Sequence, residues 1–324
     1  MPDVTCLGIL VADVVGKPVD QLPEKGKLAL VERMELHSGG CAANTGGTLA
    51  KIGVDTAVMG KVGNDGFGDF VIGYLQKLNV DCRGIARDHY VSTSATMVMV
   101  DDAGERSFLH YIGANAAITV ADINFDVIKE SKILHIAGTF LMPGFDGEPT
   151  AQVLKKAKEM GVTTSLDTAW DSRGNWMKLL GPCLQYVDYA VPSIDEAQMC
   201  TGQKDPADVA KALMDMGVKV VGLKMGDQGC YIRSADEEIR LPIYPVHAVD
   251  ACGAGDAFAA GFLAGLANGW DLEKTGKFAN ATGAFCVTAL GATTGIKDQA
   301  TIEAFIRVME GGSVCDGEFC NCKI

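Results

Sequence analysis

Asp250-Ala251-Cys252-Gly253-Ala254-Gly255-Asp256 stands directly before a run of small and apolar residues, Ala257 to Asn268, and the reading of this stretch decides the fold. Three consecutive residues with little or no side chain let an anion approach the backbone. A helix starting there would aim its free N–H groups and positive dipole end at that anion. Asp256 then sits where a base could take a proton from an attacking hydroxyl while the amides of Gly253, Ala254 and Gly255 stabilise charge on a transferred group. In isolation the same residues also describe a glycine-rich turn whose aspartate bonds first-turn amides. The choice rests on the rest of the chain.

Upstream of this stretch the pattern is strand then helix. Ile133 to Ala137, Thr163 to Asp167, Tyr186 to Val191 and Val218 to Met225 read as strands. Thr150 to Met160, Trp176 to Leu180, Asp195 to Cys200 and Pro206 to Met216 read as helices. Such alternation predicts a mainly parallel sheet with helices on both faces, an α/β/α sandwich. Val4 to Val15 reads as a buried first strand with Asp13 near its C-terminal end, where ligands bind in sheets of this kind. Ser38-Gly39-Gly40-Cys41-Ala42-Ala43-Asn44 opens a helix running through Ile52, and its glycine pair and Asn44 suit a polyhydroxylated ligand. Thr56 to Val62 is a further strand, Phe67 to Leu78 a further helix.

Two segments break this rhythm. Leu28 to Leu36 alternates in short pieces, and Thr93 to Val100 with Arg106 to Ile112 forms a hairpin about Asp102-Ala103-Gly104. Insertions at about 14–38 and 91–114 are therefore expected to pair into a small β-sheet lid on a single domain spanning 1–324. The segment 311–324 is read as a polar, cysteine-bearing tail without assigned function.

Composition narrows the function. The 324 residues carry a net charge of −13, which disfavours nucleic acid and anionic membrane surfaces as partners. No apolar run reaches the roughly 18 to 20 residues of a membrane span, and no basic segment followed by an apolar stretch opens the chain, so a cytoplasmic location is expected. Eleven cysteines, scattered through apolar segments, suit reduced thiols. Cys315, Cys320 and Cys322 are close enough to suggest a metal site, but no histidine follows them. The Gly-x-x-x-x-Gly-Lys-Ser/Thr phosphate loop, the protein-kinase motifs and a dinucleotide fingerprint are all missing, so phosphate chemistry here needs another architecture.

Taken together, the residues resemble the ribokinase-like, or PfkB-type, family of carbohydrate kinases, from about residue 4 to residue 308. The family pattern Asp-Thr-x-Gly-Ala-Gly-Asp-x-aromatic stands here as Asp250 to Phe258, and Gly39-Gly40-x-x-x-Asn44 is followed by Gly60-x-x-Gly63-x-Asp65-x-Phe67-Gly68. Asp13 precedes these motifs, and Gly113-Ala114-Asn115 ends the hairpin between them. The resemblance implies a three-layer ribokinase-like fold with Asp256 as the base and Gly253 to Gly255 as the anion hole. Asp13, Gly39, Gly40 and Asn44 would hold the sugar. Ser193, Lys224, Gly226, Gly229 and Asn280 would line ATP, and Glu196 would organise the water shell of Mg2+. Asp250, with carbonyls near Ala289 to Gly291, matches a monovalent cation site, K+ in several members. Two positions depart from the pattern: Ala251 replaces a threonine, and Ser193 the asparagine of an Asn-x-x-Glu motif.

The implied reaction is transfer of a phosphoryl group from ATP to a sugar hydroxyl, with the lid closing to exclude water. Asp167-Thr168-Ala169-Trp170-Asp171 lies where members acting on acidic sugars carry an arginine, which this stretch lacks. A neutral, fructose- or ribose-like sugar is the first expectation. A nucleoside stacked on Trp170, Phe140 or Tyr111 is the alternative within the fold, and a silent sugar-binding member the alternative outside enzymology. Arg106 in the hairpin could take the place of the missing arginine, but it reads first as an exposed lid arginine. A homodimer through the lid is expected.

Overall fold

In the computed structural model, which describes residues 1–311, the fold is arranged about β1 (Val4–Gly8). Every residue of β1 is buried. It pairs in parallel with β4 (Thr56–Gly63) on one side and β8 (Ile133–Thr139) on the other. A strand flanked by parallel neighbours and covered on both faces needs no polar alternation, which is why Val-Thr-Cys-Leu-Gly shows none.

The sheet extends through β5 (Asp81–Asp88) beyond β4, and through β9 (Thr163–Thr168), β10 (Tyr189–Ala190), β11 (Val220–Lys224), β12 (Cys230–Arg233) and β13 (Glu238–Leu241) beyond β8. The order is β13-β12-β11-β10-β9-β8-β1-β4-β5, with every pairing parallel except those of β12 with β11 and β13. On one face, α1 (Cys41–Ile52), α2 (Gly66–Lys77), α8 (Ala254–Ala267), α9 (Leu272–Val287) and α10 (Gln299–Met309) bury a core that includes Leu49, Leu75, Leu263, Phe278 and Ile302. On the other, α3 (Phe125–Lys129), α4 (Glu148–Glu159), α5 (Met177–Leu184), α6 (Ile194–Thr201) and α7 (Pro206–Asp215) bury Ile128, Leu154, Leu180, Ala197 and Leu213. This is the three-layer α/β/α sandwich. The chain leaves β1 toward β4 and later returns to β8 on its other side, so strand order reverses at β1. Ligands bind at such a switch point, beyond the C-terminal strand ends.

The small sheet holds β2 (Val11–Lys17), β3 (Arg33–Gly39), β6 (Ala95–Val100) and β7 (Arg106–Tyr111) in the order β3-β2-β6-β7. Its two hairpins are antiparallel, and β2 joins β6 in parallel. The single strand expected over Val4 to Val15 is in fact two strands of different sheets. The break falls at Ile9-Leu10, where the Asn115 side chain accepts from Leu10 N–H and donates to Leu10 C=O, both at 3.0 Å. That amide replaces the ladder partner a continuous strand would have, and lets the chain turn out of the main sheet while buried. Asp13 consequently belongs to the lid. Registry places His37, Asp13, Thr96 and His110 in one row across the small sheet, and Leu36, Val14, Met97 and Leu109 in the adjacent row, which faces the opposite way.

Candidate active site

Asp256 lies in the first turn of α8, and Gly253 caps that helix with φ 79° and ψ 0°. This left-handed conformation, with Ala292 packed where a side chain would emerge, explains the glycine. The Ala254 amide closes a turn onto the Ala251 carbonyl at 3.2 Å. Gly40, at φ 90°, caps α1 in turn, and a Cβ there would lie 2.5 Å from the Ile9 carbonyl oxygen. Gly39 packs against the Asp13 carboxylate with no room for a side chain. The glycine pair thus lets α1 begin directly over the end of β1.

The two helix starts meet. Asn44 Nδ2 donates to Asp256 Oδ2 at 2.8 Å, and Thr45 Oγ1 to the Asp256 backbone carbonyl at 3.4 Å. Burial pushes the Asp256 carboxyl up, while Asn44, Lys224 and the Cys41 thiol hold it down. Asp13 is likewise pushed up by burial and opposed by Thr96, His110 and His37.

Beside Asp256 lies a second charged group. Lys224, at the end of β11, donates to both oxygens of Asp167, at the end of β9, at 2.7 and 2.6 Å. The pair is almost wholly buried. Burial pushes Lys224 down, but Asp167, with Glu196 and Asp256 nearby, more than offsets this and holds it above its ordinary value, whereas burial pushes Asp167 upward. The Lys224 ammonium also lies against Gly255, next to the amides at the head of α8. Ser193 bridges Lys224 in parallel and precedes α6, and Glu196 accepts from Thr168 Oγ1 at 2.7 Å and from Ser193 N–H at 3.4 Å. Glu196, Asp167 and Asp256 leave an excess of carboxylate oxygen around one lysine. Hard oxygen donors of this kind suit Mg2+, which is commonly held by one or two carboxylates together with substrate phosphates. Glu196 is the residue that would hold it, through water.

Farther along the sheet edge, Gly226 (φ 57°) opens a 3₁₀ turn, and Gly229 (φ 85°) ends it against Leu241 and Pro242. Asn280 of α9 donates to the Leu241 and Pro242 carbonyls at 3.4 and 3.0 Å. Asn280 thereby ties α9 to the end of β13, beside the turn at Gly229.

Asp250 has different partners from those expected. Its Oδ1 accepts from Arg106 Nη2 at 2.6 Å and Cys252 N–H at 2.7 Å, and its Oδ2 from Gly291 N–H at 3.0 Å. Arg106 is therefore not a solvent-facing lid arginine but a buried carboxylate's partner. With a guanidinium already against the carboxylate, the residues here do not fit an added monovalent cation. The sequence signals for Arg106, Asp167, Cys41 and Thr45 were weak: alternation in a hairpin cannot say which face meets the domain, and the other three look like core positions. The three close cysteines at 315, 320 and 322 lie outside the described residues. Among those described, no cluster of three or more His, Cys, Asp or Glu residues is arranged to bind a metal directly, and no helix is long and apolar enough to cross a membrane.

Comparison with known proteins yields consistent matches. The model of the pfkB family carbohydrate kinase matches residues 1–299. An Arabidopsis thaliana protein named "Probable fructokinase-5" is 30% identical over 306 residues, covering 89% of this chain and 94% of its own. Ribokinase from Thermotoga maritima superposes with a TM-score of 0.81 at 27% identity, over 95% of this chain and 100% of its own. A sugar kinase from Pyrococcus horikoshii, solved in complex with ATP, superposes with a TM-score of 0.74 at 29% identity, over 92% and 96% of the two chains.

Proposed function

The chain belongs to the pfkB family of carbohydrate kinases and is an ATP-dependent sugar kinase, and from that premise we propose that Asp256 activates a hydroxyl of a neutral, fructose- or ribose-like sugar. The Asn44–Asp256 hydrogen bond carries this reading, because it ties the sugar-facing motif to the phosphate-facing motif at 2.8 Å.

In the proposed reaction the acceptor hydroxyl lies between Asp13 and Asp256, with Asn44 fixing the carboxylate that faces it. Asp256 takes the hydroxyl proton as the new O–P bond forms and the bond from the γ-phosphorus to the bridging oxygen breaks, releasing ADP. Such transfer needs alignment and charge stabilisation rather than covalent chemistry from the protein. The amides of Gly253, Ala254 and Gly255 and the Lys224 ammonium supply positive potential at the transferred group. Mg2+, when bound, would add neutralisation of the phosphate charge, with Glu196 holding its water shell. Ser193, Gly226, Gly229 and Asn280 line the nucleotide. The lid sheet, with Asp13 on its inner row, closes over the sugar and excludes water.

Electrostatics favour a neutral acceptor. Asp13 and Asp256 would repel a carboxylate or phosphate, and the lid arginine Arg106 is already bonded to Asp250. The aromatic residues considered for stacking on a base have other neighbours. Phe140 and Trp170 both pack edge-on against Trp176, and Tyr111 lies on the outward row of the lid. The outward row also supports a homodimer through the lid.

Asp256→Asn tests the role of the base. Turnover, followed as ADP release across a panel of sugars, sugar acids and nucleosides, should fall by about 10²- to 10⁴-fold for the best neutral sugar. Calorimetric affinity for an ATP analogue should be nearly unchanged. Retention of most of the activity would remove Asp256 from the role.

A further inference from the structure

The Asp250 carboxylate, beside the anion hole, accepts three hydrogen bonds. Its partners come from three separate parts of the chain: the Cys252 amide of the same turn, the Gly291 amide of the loop after α9, and the Arg106 guanidinium of the lid. One carbonyl of each loop is engaged as well. The buried Cys286 thiol lies within hydrogen-bonding reach of the Cys252 carbonyl at 3.5 Å and the Ala292 carbonyl at 3.2 Å. Burial, with Asp256 nearby, pushes that thiol up to about 12, so it remains a donor. A carboxylate with carbonyl oxygens beside it would suit a weakly hydrated cation. Here the carboxylate faces a guanidinium, and the Cys252 and Ala292 carbonyls lie by the Cys286 thiol.

Arg106 opens β7 opposite Val100, two residues along from the turn, on the same face of the lid as Asp13 and His110. His37, from the same inner row, lies close to Gly291. The inner face of the lid therefore meets the anion-hole loops at two points, and one of them is an ion pair whose carboxylate is 5% exposed.

We propose that the Arg106 guanidinium stands in place of a monovalent cation at Asp250, so that lid closure rather than K+ binding completes the loop carrying the anion hole. Arg106 is a positioning residue in this scheme. It neutralises Asp250, Asp250 holds the Cys252 and Gly291 amides, and these set the turn at Gly253. A fixed planar guanidinium matches a carboxylate and cannot lose its proton, so the contact depends on lid position and not on salt composition. The inference uses the sugar-kinase reading for its turnover arm only.

The test compares the full-length protein, Arg106→Ala and Arg106→Lys in KCl and in tetramethylammonium chloride of equal ionic strength. Turnover and melting temperature are both recorded. Wild-type turnover should agree within about twofold between salts. Arg106→Ala should lose about ten- to a hundredfold in kcat in tetramethylammonium, the loss expected for one charged hydrogen bond, with sugar KM little changed. KCl or guanidinium chloride should restore most of it. Arg106→Lys should remain active in both salts. The melting temperature of Arg106→Ala should rise in KCl relative to tetramethylammonium, and that of the wild type should not. This arm reads the cation site even if no acceptor sugar is turned over. A wild-type requirement for K+ of tenfold or more would overturn the proposal. So would an Arg106→Ala loss equal in both salts, an unchanged Arg106→Ala, or a wild-type melting temperature raised specifically by K+.

Discussion

Asp256 has to be ionised to accept a proton, yet its burial favours the neutral acid. Asn44 settles this conflict by donating to the charged form. The consequence is a pH profile. Activity should rise with pH through the ionisation of Asp256, with its acid limb above the ordinary carboxylate value of about 4. Asn44→Ala removes a bond that favours the ion, so the limb should move to still higher pH. On the acid limb itself activity should fall about tenfold, the weight of one charged hydrogen bond. Kinetic profiles of kcat/KM for both proteins check this, and an acid limb that stays in place or moves downward would show that Asn44 does not act on the base.

At the scale of elements, the Lys224–Asp167 pair joins the ends of β11 and β9 across the two-residue strand β10. So short a strand adds little ladder of its own, and the ion pair ties its neighbours together over the site. Lys224→Met leaves a buried carboxylate without its cation, which should destabilise the fold by about 3 kcal/mol in urea unfolding. Lys224→Met combined with Asp167→Leu should recover much of that loss while remaining inactive. If the double variant is no more stable than the single one, the cost lies in packing and not in charge. These elements also show what the sequence could reveal. Lys224 at a strand end and the glycine turns at 253 and 40 were legible, since only a few backbone shapes need glycine there. The main sheet was legible from its rhythm, but β5 was missed, because Asp-Cys-Arg-Gly-Ile-Ala-Arg-Asp at a sheet edge carries no apolar run. The break at Ile9-Leu10 was hidden as well. An apolar stretch reads as one strand, and the Asn115 side chain that ends it lies 105 residues away. A separation of 144 residues likewise concealed Arg106 and Asp250, a pairing that depends on how the lid lands.

For the whole molecule the question is what covers the outer face of the lid. Met97, Leu109 and Tyr111 are each more than half exposed, and Leu36 and Met34 continue the same face. An apolar sheet face of this kind marks an interaction surface. A second copy is the natural occupant, because β3 and β7 also end the small sheet with open edges that an isologous contact could cover. Charge opposes that contact. Two chains each carrying −13 repel, and salt screens the repulsion while leaving apolar burial intact. The proposed homodimer should therefore sediment at twice 34.1 kDa at physiological salt and dissociate more readily at low ionic strength. Leu109→Glu with Met97→Glu should yield monomers by burying charge at the seam, with the main α/β core still melting cooperatively. Sedimentation of the wild type as a monomer over the whole accessible concentration range would remove the homodimer, and a double variant that stays an unchanged dimer would place the contact elsewhere. Because the inner and outer rows alternate along the same strands, a dimer seam on one side would also stiffen the surface that presents Asp13 and Arg106 on the other. The double variant should then raise the sugar KM more than it lowers kcat, a split that initial-rate measurements on the separated monomer would reveal.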